Sequence, residues 1–180
     1  MKNAVFGLLL AVLAMTAAPP EAQAVDNGRK YFFGMTNTFG VVAYQNFGAT
    51  SGLLWHLEPE MYFKNIILSP IIAWGRKEVV PGAKDDFDSG AHSFFTLGAN
   101  VKYTFLGPGV WEPYLIGGVA MHILDDDATF GPNLGFGLMI SPVDQFGIVL
   151  NAYYNLAFGG DKDRVGDGTL TATGGVTFRW

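Results

Sequence analysis

Apolar and polar residues alternate along most of this chain. From Lys30 to Trp180, stretches of period two recur with breaks between them. Successive strand side chains point to opposite sides of a sheet, so each stretch reads as a β-strand. Eight are predicted, at 30 to 43, 49 to 62, 65 to 78, 91 to 105, 112 to 124, 131 to 141, 146 to 158 and 168 to 180. One face of each strand is bulky and apolar, as in Tyr31, Phe33 and Met35, in Leu53, Trp55 and Leu57, and in Phe95, Leu97, Val101 and Tyr103. The pattern continues through Leu134, Phe136, Leu138 and Ile140, then Phe146, Ile148, Leu150, Tyr154 and Leu156. The opposite face is small or polar, most clearly in Thr96, Gly98, Asn100, Lys102 and Thr104. A soluble barrel keeps its apolar side chains inside, whereas a membrane barrel turns them out to lipid. The bulky set is too large, and the small polar set too regular, for a compact soluble core. The expected fold is therefore all-β: an eight-stranded antiparallel transmembrane up-and-down β-barrel with its apolar face outward.

Most of these strands match or exceed the roughly 9 to 11 residues of a tilted membrane strand. The connections are of two kinds. Those near Phe63 and Lys64, at Gly107 to Gly109, and at Pro142 to Gln145 are tight, while EVVPGAKDDFDSG, DDDATFG and GGDKDRVGDG are longer or more charged. Short turns at one end and long loops at the other are the arrangement of outer-membrane barrels, whose turns are periplasmic. The first loop of the long end, near Gln45 to Gly48, is a short exception. A second irregularity is Pro70, in the middle of IILSPIIAWG. A closed barrel has no edge where a missing N–H is harmless, so a bulge or shifted register is expected in strand 3, leaving the facing of Trp74 and Arg76 open.

The first 24 residues follow a different rule. Lys2 precedes the apolar run from Ala4 to Met15, and Pro19, Pro20 and a small-residue AQA follow, ending at Ala24. This reads as a cleavable secretory signal peptide, residues 1–24, leaving residues 25–180 as one barrel domain. The run is too short for a spanning helix, and the mature segment contains no stretch of 18 apolar residues. The chain has no cysteine, so the exported protein is held without disulfides. Its composition is 49% hydrophobic and 15% charged, with 24 glycines, which fits neither a disordered chain nor an ordinary soluble enzyme. The net charge of −5 and the lack of a basic patch argue against nucleic acid as a partner.

The chain closes on TATGGVTFRW, in which Val176, Phe178 and Trp180 share the apolar face. Together with the signal peptide, the eight alternating strands and the asymmetric connections, this ending resembles small eight-stranded outer-membrane β-barrel proteins of the OmpA/OmpX type. The resemblance implies the outer membrane of a Gram-negative bacterium, with both termini periplasmic. It also implies that Val176, Phe178 and Trp180 form a C-terminal signal read by the barrel assembly machinery. Anchoring in the lipid interface is a second role for Trp180, compatible with the first.

With the apolar face outward, the charged positions inside the strands become informative. Lys30, His56, Glu58, Glu60, Lys102, Glu112, His122 and Arg179 all take the inward parity. The interior of an eight-stranded barrel is filled by side chains, and an unpaired buried charge is costly, so these groups are expected to pair, with Glu58 and Lys102 as partners. They form either a static plug or a gate that passes ions. His56, His92 and His122 lack the converging geometry of a metal site, and the run Asp125 to Asp127 lacks the spaced oxygen ligands of a calcium loop. No metal and no cofactor is expected. Small barrels that deacylate lipid carry a His and a Ser two apart on one face, whereas His92 and Ser93 are adjacent and face opposite ways, so the chain does not read as an enzyme. Residues 78 to 91, 125 to 131 and 159 to 168 carry ten acids against three bases. Divalent cations at these acidic loops would bridge them to lipopolysaccharide phosphates. The expected function is a structural or surface-interaction role in contact with outer-membrane lipid and lipopolysaccharide. The alternative is a narrow channel for small or hydrophobic solutes.

Overall fold

The computed structural model describes residues 31–44, 51–78, 91–106, 109–124, 127–159 and 168–180. The expected signal peptide, Lys30, and most of the two long connections lie outside these residues. Among the described residues there are eight strands: β1 (Phe33–Tyr44), β2 (Ser51–Phe63), β3 (Ile66–Glu78), β4 (Ala91–Thr104), β5 (Trp111–Leu124), β6 (Asp127–Val143), β7 (Phe146–Leu156) and β8 (Gly168–Arg179). Each pairs antiparallel with the next, and β8 returns to β1, from Gly34↔Arg179 to Tyr44↔Thr169, to close the barrel. Closure matters because hydrocarbon offers no hydrogen bonds to an exposed strand edge. The alternation reads directly in the burial. Leu53, Leu134 and Phe136 are 73%, 70% and 66% exposed on the outside, whereas Thr36, Thr38 and Thr104 are fully buried inside.

Two-residue turns, Lys64–Asn65 and Asp144–Gln145, mark one end of the barrel, which we call the turn end; Lys64 takes a positive φ of 48° there. The chain terminus lies at the same end. The Trp180 carbonyl accepts from both Phe32 N and Phe33 N, at 3.2 and 3.1 Å. The opposite end, which carries the connections 79–90 and 160–167, is the loop end.

Three expectations are corrected. First, β6 begins at Asp127 rather than at 131, because Leu124 pairs with Asp127 and Met121 with Phe130, so DDDATFG is not a long loop but a tight connection. Alternation through Ala128, Thr129 and Phe130 extends the strand, and Phe130 is held further by a bridge to Phe158. Second, Tyr31 does not face lipid. Two consecutive N–H groups share one acceptor at Trp180, which breaks the alternation and turns Tyr31 to the interior, where its ring meets Tyr62 edge-on at 4.8 Å.

Third, Pro70 causes neither a bulge nor a shift. The β2–β3 pairing is Leu57↔Ile72 on one side of it and Met61↔Leu68 on the other, the same register, which sets Pro70 opposite Pro59. Directly opposite residues in an antiparallel pair can exchange both of their N–H···O bonds. Two prolines facing each other therefore gather their missing donors at one point in the seam, and no extra residue is needed. Trp74 and Arg76 consequently keep the outward parity and are exposed. Among the described residues, a register shift falls between Ile140 and Val143, beside the Asp144–Gln145 turn.

The interior divides into two levels. Tyr62, Ile67, Tyr114, Ile116, Met139, Val149 and Tyr153 fill the turn-end half. At the loop end, Val42, Leu54, Ile71, Ala73 and Phe94 pack together along β1 to β4.

Candidate functional site

The buried charges of the interior come from strands far apart in sequence, and closure of the sheet is what assembles them. His56, Glu58 and Glu60 alternate with outward residues along β2, so all three project inward; Lys102 does the same from β4 and Arg179 from β8. Lys102 sits between two carboxylates, with Nζ 2.6 Å from Glu58 Oε2 and 2.6 Å from Glu60 Oε1. Each of the three side chains is at most 4% exposed.

The carboxylate oxygens are further satisfied by hydroxyl donors. Ser69 Oγ donates to Glu58 Oε2 at 2.6 Å, Tyr62 Oη donates to Glu60 Oε2, and Thr177 Oγ1 donates to the same oxygen at 3.3 Å. His56 Nδ1 lies 3.3 Å from Glu58 Oε1. Beneath, the Tyr114 ring lies 5.7 Å from the ammonium, and Tyr114 Oη donates to Asn151 Oδ1. Buried charges persist when they are both paired and hydrogen-bonded. This cluster meets both conditions.

A second group closes the turn end. Arg179 Nη1 donates to Tyr31 Oη at 2.6 Å and lies 3.4 Å from Glu112 Oε1, while Nη2 donates to the carbonyls of Val143 and Phe146. The guanidinium also stacks over the Tyr31 ring at 4.3 Å. The planar fork of arginine suits this role, since it reaches several acceptors in one plane.

Thus His56, Glu58, Glu60 and Lys102 form one group, Glu112 and Arg179 a second, and Lys30 lies outside the described residues. His122 stands apart from both, near the loop end, with Nδ1 2.8 Å from Thr96 Oγ1. Tyr31, Tyr62, Ser69, Tyr114 and Thr177 were missed as members of these networks. For Tyr62 the signal was present, since it shares the inward parity of Glu58 and Glu60. Tyr31 could not be found that way, because the break in alternation that admits it depends on where Trp180 ends. On the outer face of β8, Val176 is half-buried, and Phe178 and Trp180 are about half exposed, with Phe178 packed against Phe146 at 5.5 Å between ring centres.

No protein-family model matches the sequence, and no curated protein is significantly similar to it. Solved structures are similar in fold. The crystal structure of Neisserial surface protein A aligns with a TM-score of 0.63 at 12% identity, covering 83% of this chain and 97% of that one. The N-terminal β-barrel domain of Pseudomonas aeruginosa OprF aligns with a TM-score of 0.54 at 17% identity, covering 83% and 98%. With eight antiparallel strands closed on themselves, an apolar exterior and these two structural relatives, the chain has the fold of the small eight-stranded outer-membrane β-barrels of the OmpA/OmpX type.

Proposed function

We propose that this protein is an integral outer-membrane barrel with a structural and surface-interaction role, its interior sealed by the charge network. The observation that carries this reading is Lys102, buried and shared between Glu58 and Glu60 across the barrel. A solute crossing the interior would have to part that ammonium from two carboxylates and then pass Arg179, which is tied to Glu112, Tyr31 and two carbonyls. The reading is non-enzymatic. Ser69 donates to Glu58, but that carboxylate oxygen is also held by the Lys102 ammonium, and both residues are sealed from substrate. The test is conductance of the purified barrel in planar phospholipid bilayers. The expected result is no steady current. Reproducible unitary conductance would replace this reading with the narrow-channel alternative.

In this orientation the turn end and both termini are periplasmic, and the acidic loops face outward, where divalent cations bridge them to lipopolysaccharide phosphates. The outer face supports contact with anionic lipid. Phe39, Trp55 and Trp74 are paired in one row across β1, β2 and β3, and exposed Arg76 lies beyond them toward the loop end. A cation on the lipid face is costly at the bilayer midplane, on the order of 2 to 4 kcal/mol, but nearly free at the interface. Arg76 therefore belongs at headgroup level.

The barrel assembly machinery is the proposed reader of Val176, Phe178 and Trp180. Phe178→Asp should lower outer-membrane levels in cells and leave degraded periplasmic material, while the purified variant still folds into lipid vesicles. Failure in both settings would assign Phe178 to stability alone, and normal insertion in cells would remove its recognition role. Deleting Trp180 should be more severe, because its carbonyl also ties the start of β1.

A further inference from the structure

Apolar side chains are ordinary on the lipid face of a barrel, whereas a hollow with a cation on its rim departs from that pattern. One such hollow lies across β1 to β3. Phe39, Trp55 and Trp74 pair in one row, and Val41, Leu53 and Arg76 pair in the next row toward the loop end. These six side chains line a groove of about 550 Å³, floored by the backbone at the Gly40 and Leu54 pair. That volume is in the range of small-molecule sites, and the long side of the groove is open to the bilayer.

A hydrogen bond fixes the shape of the groove. Asn37 shares the outward parity of Phe39 and Val41, and a carboxamide on the lipid face needs a partner from the protein itself. Trp55 Nε1 donates to Asn37 Oδ1 at 2.8 Å. Asn37 lies on the turn-end side of Phe39, the residue opposite Trp55, so the bond draws the indole toward the turn end. It is thereby held away from Leu53 and Arg76, and the space between the two rows stays open.

Arg76 sets the chemistry of the occupant. Lys102 and Arg179 are taken up by interior carboxylates, whereas Arg76 is exposed on the outer face and has no acceptor among the described residues. Its planar fork suits two oxygens of one phosphate. The same face of a second copy would bring two Arg76 side chains together, which disfavours a self-complementary dimer here. A phosphorylated lipid supplies both requirements in one molecule, an anion for the rim and an acyl chain running from headgroup level down the groove. With the loop end outside, the phosphate-bearing lipid at this height is lipopolysaccharide. We infer that β1 to β3 carry a seat for one lipopolysaccharide molecule, with a phosphate of its lipid A anchor on Arg76 and an acyl chain beside Trp55 and Trp74. The seat deepens the surface-interaction reading and rests on its placement of the loop end outside.

The four tryptophans of the chain allow a direct test. Trp111→Phe with Trp180→Phe leaves reporters at the groove, and Trp55→Phe with Trp74→Phe leaves reporters at the turn end. Each protein is refolded into phosphatidylcholine vesicles whose brominated chains quench indole fluorescence. Unbrominated lipid A, phosphatidylglycerol or phosphatidylcholine is then mixed in, and recovery of fluorescence reads displacement of the brominated chains. At the groove, lipid A should be preferred over phosphatidylcholine about fivefold, the effect of one basic residue near a lipid surface. Phosphatidylglycerol should be preferred less, because its phosphate diester carries less charge than a monoester. The turn-end reporters should show no preference. Arg76→Gln should lose the preference and Arg76→Lys should keep part of it, with folding of both checked by migration of unboiled sample. No preference in the parent protein, an undiminished one in Arg76→Gln, or an equal one at the turn-end reporters would overturn the seat. Phosphatidylglycerol matching lipid A would overturn its assignment to lipopolysaccharide. Conductance of the same proteins separates the two readings: a silent barrel without the preference removes the seat alone, whereas a conducting barrel that keeps it removes the seal alone.

Discussion

Lys102→Met should lower the barrel's unfolding free energy by about 3 to 5 kcal/mol, the usual consequence of removing one partner from a buried ion pair. The substitution keeps the length and apolar stem of the side chain but leaves Glu58 and Glu60 side by side on β2, buried without their shared counter-ion. The geometry also sets the order of the rescue experiments. Because Nζ is 2.6 Å from a carboxylate oxygen of each glutamate, neutralising Glu58 alone along with Lys102 still leaves Glu60 uncompensated. Glu58→Gln with Lys102→Met should therefore recover only part of the loss. The triple variant Glu58→Gln, Glu60→Gln and Lys102→Met should recover most of it, since exchanging an entire buried ionic group for neutral residues is often close to neutral. Reversible urea unfolding in phospholipid vesicles, followed by tryptophan fluorescence, reads all four proteins. Equal stability of Lys102→Met and wild type would mean that the ammonium is not paired in the membrane. Strictly additive losses would dissolve the three-residue unit.

A comparably large effect is expected at the closing seam. A Cβ placed on Gly175 would stand 2.0 Å from the Asn37 carbonyl oxygen, and one on Gly40 would stand 2.0 Å from the Ala172 carbonyl oxygen. Both contacts lie between β1 and β8, so each side chain would strike the backbone of the partner strand. Backbone cannot rotate aside as a side chain can. Overpacking ordinarily costs about 1 to 3 kcal/mol, and more where no neighbour can yield. Gly175→Val should therefore prevent closure, seen as identical migration of boiled and unboiled samples. Gly117→Val is the matched control, because a Cβ there meets nothing within 4 Å and points outward. If Gly175→Val folds as well as Gly117→Val, the seam is looser than the register implies.

Much of the fold was legible because a strand's side-chain period is two, and the medium on each face selects residue type along its whole length. That logic identified eight strands and the outward set from Leu53 to Leu156. It failed where geometry depends on a distant partner. Tyr31 reads as one more outward aromatic until Trp180 O captures two successive N–H groups. Pro70 reads as a defect until Pro59 is found opposite it, and that juxtaposition depends on a register set by the Lys64–Asn65 turn. DDDATFG reads as a loop because acids cluster there, although pairing with β5 holds its last five residues in β6.

The candidate site divides along the same line. By itself the sequence determined which side chains enter the interior, since parity along β2, β4 and β8 sends His56, Glu58, Glu60, Lys102 and Arg179 inward whatever their partners. Only the tertiary structure decided who meets whom: that one ammonium serves two carboxylates, and that Ser69 and Thr177 complete them. The reason is physical. Facing is a local property of the extended backbone, repeated every second residue, whereas contact across a barrel depends on the stagger with which eight strands close, a quantity no single strand contains.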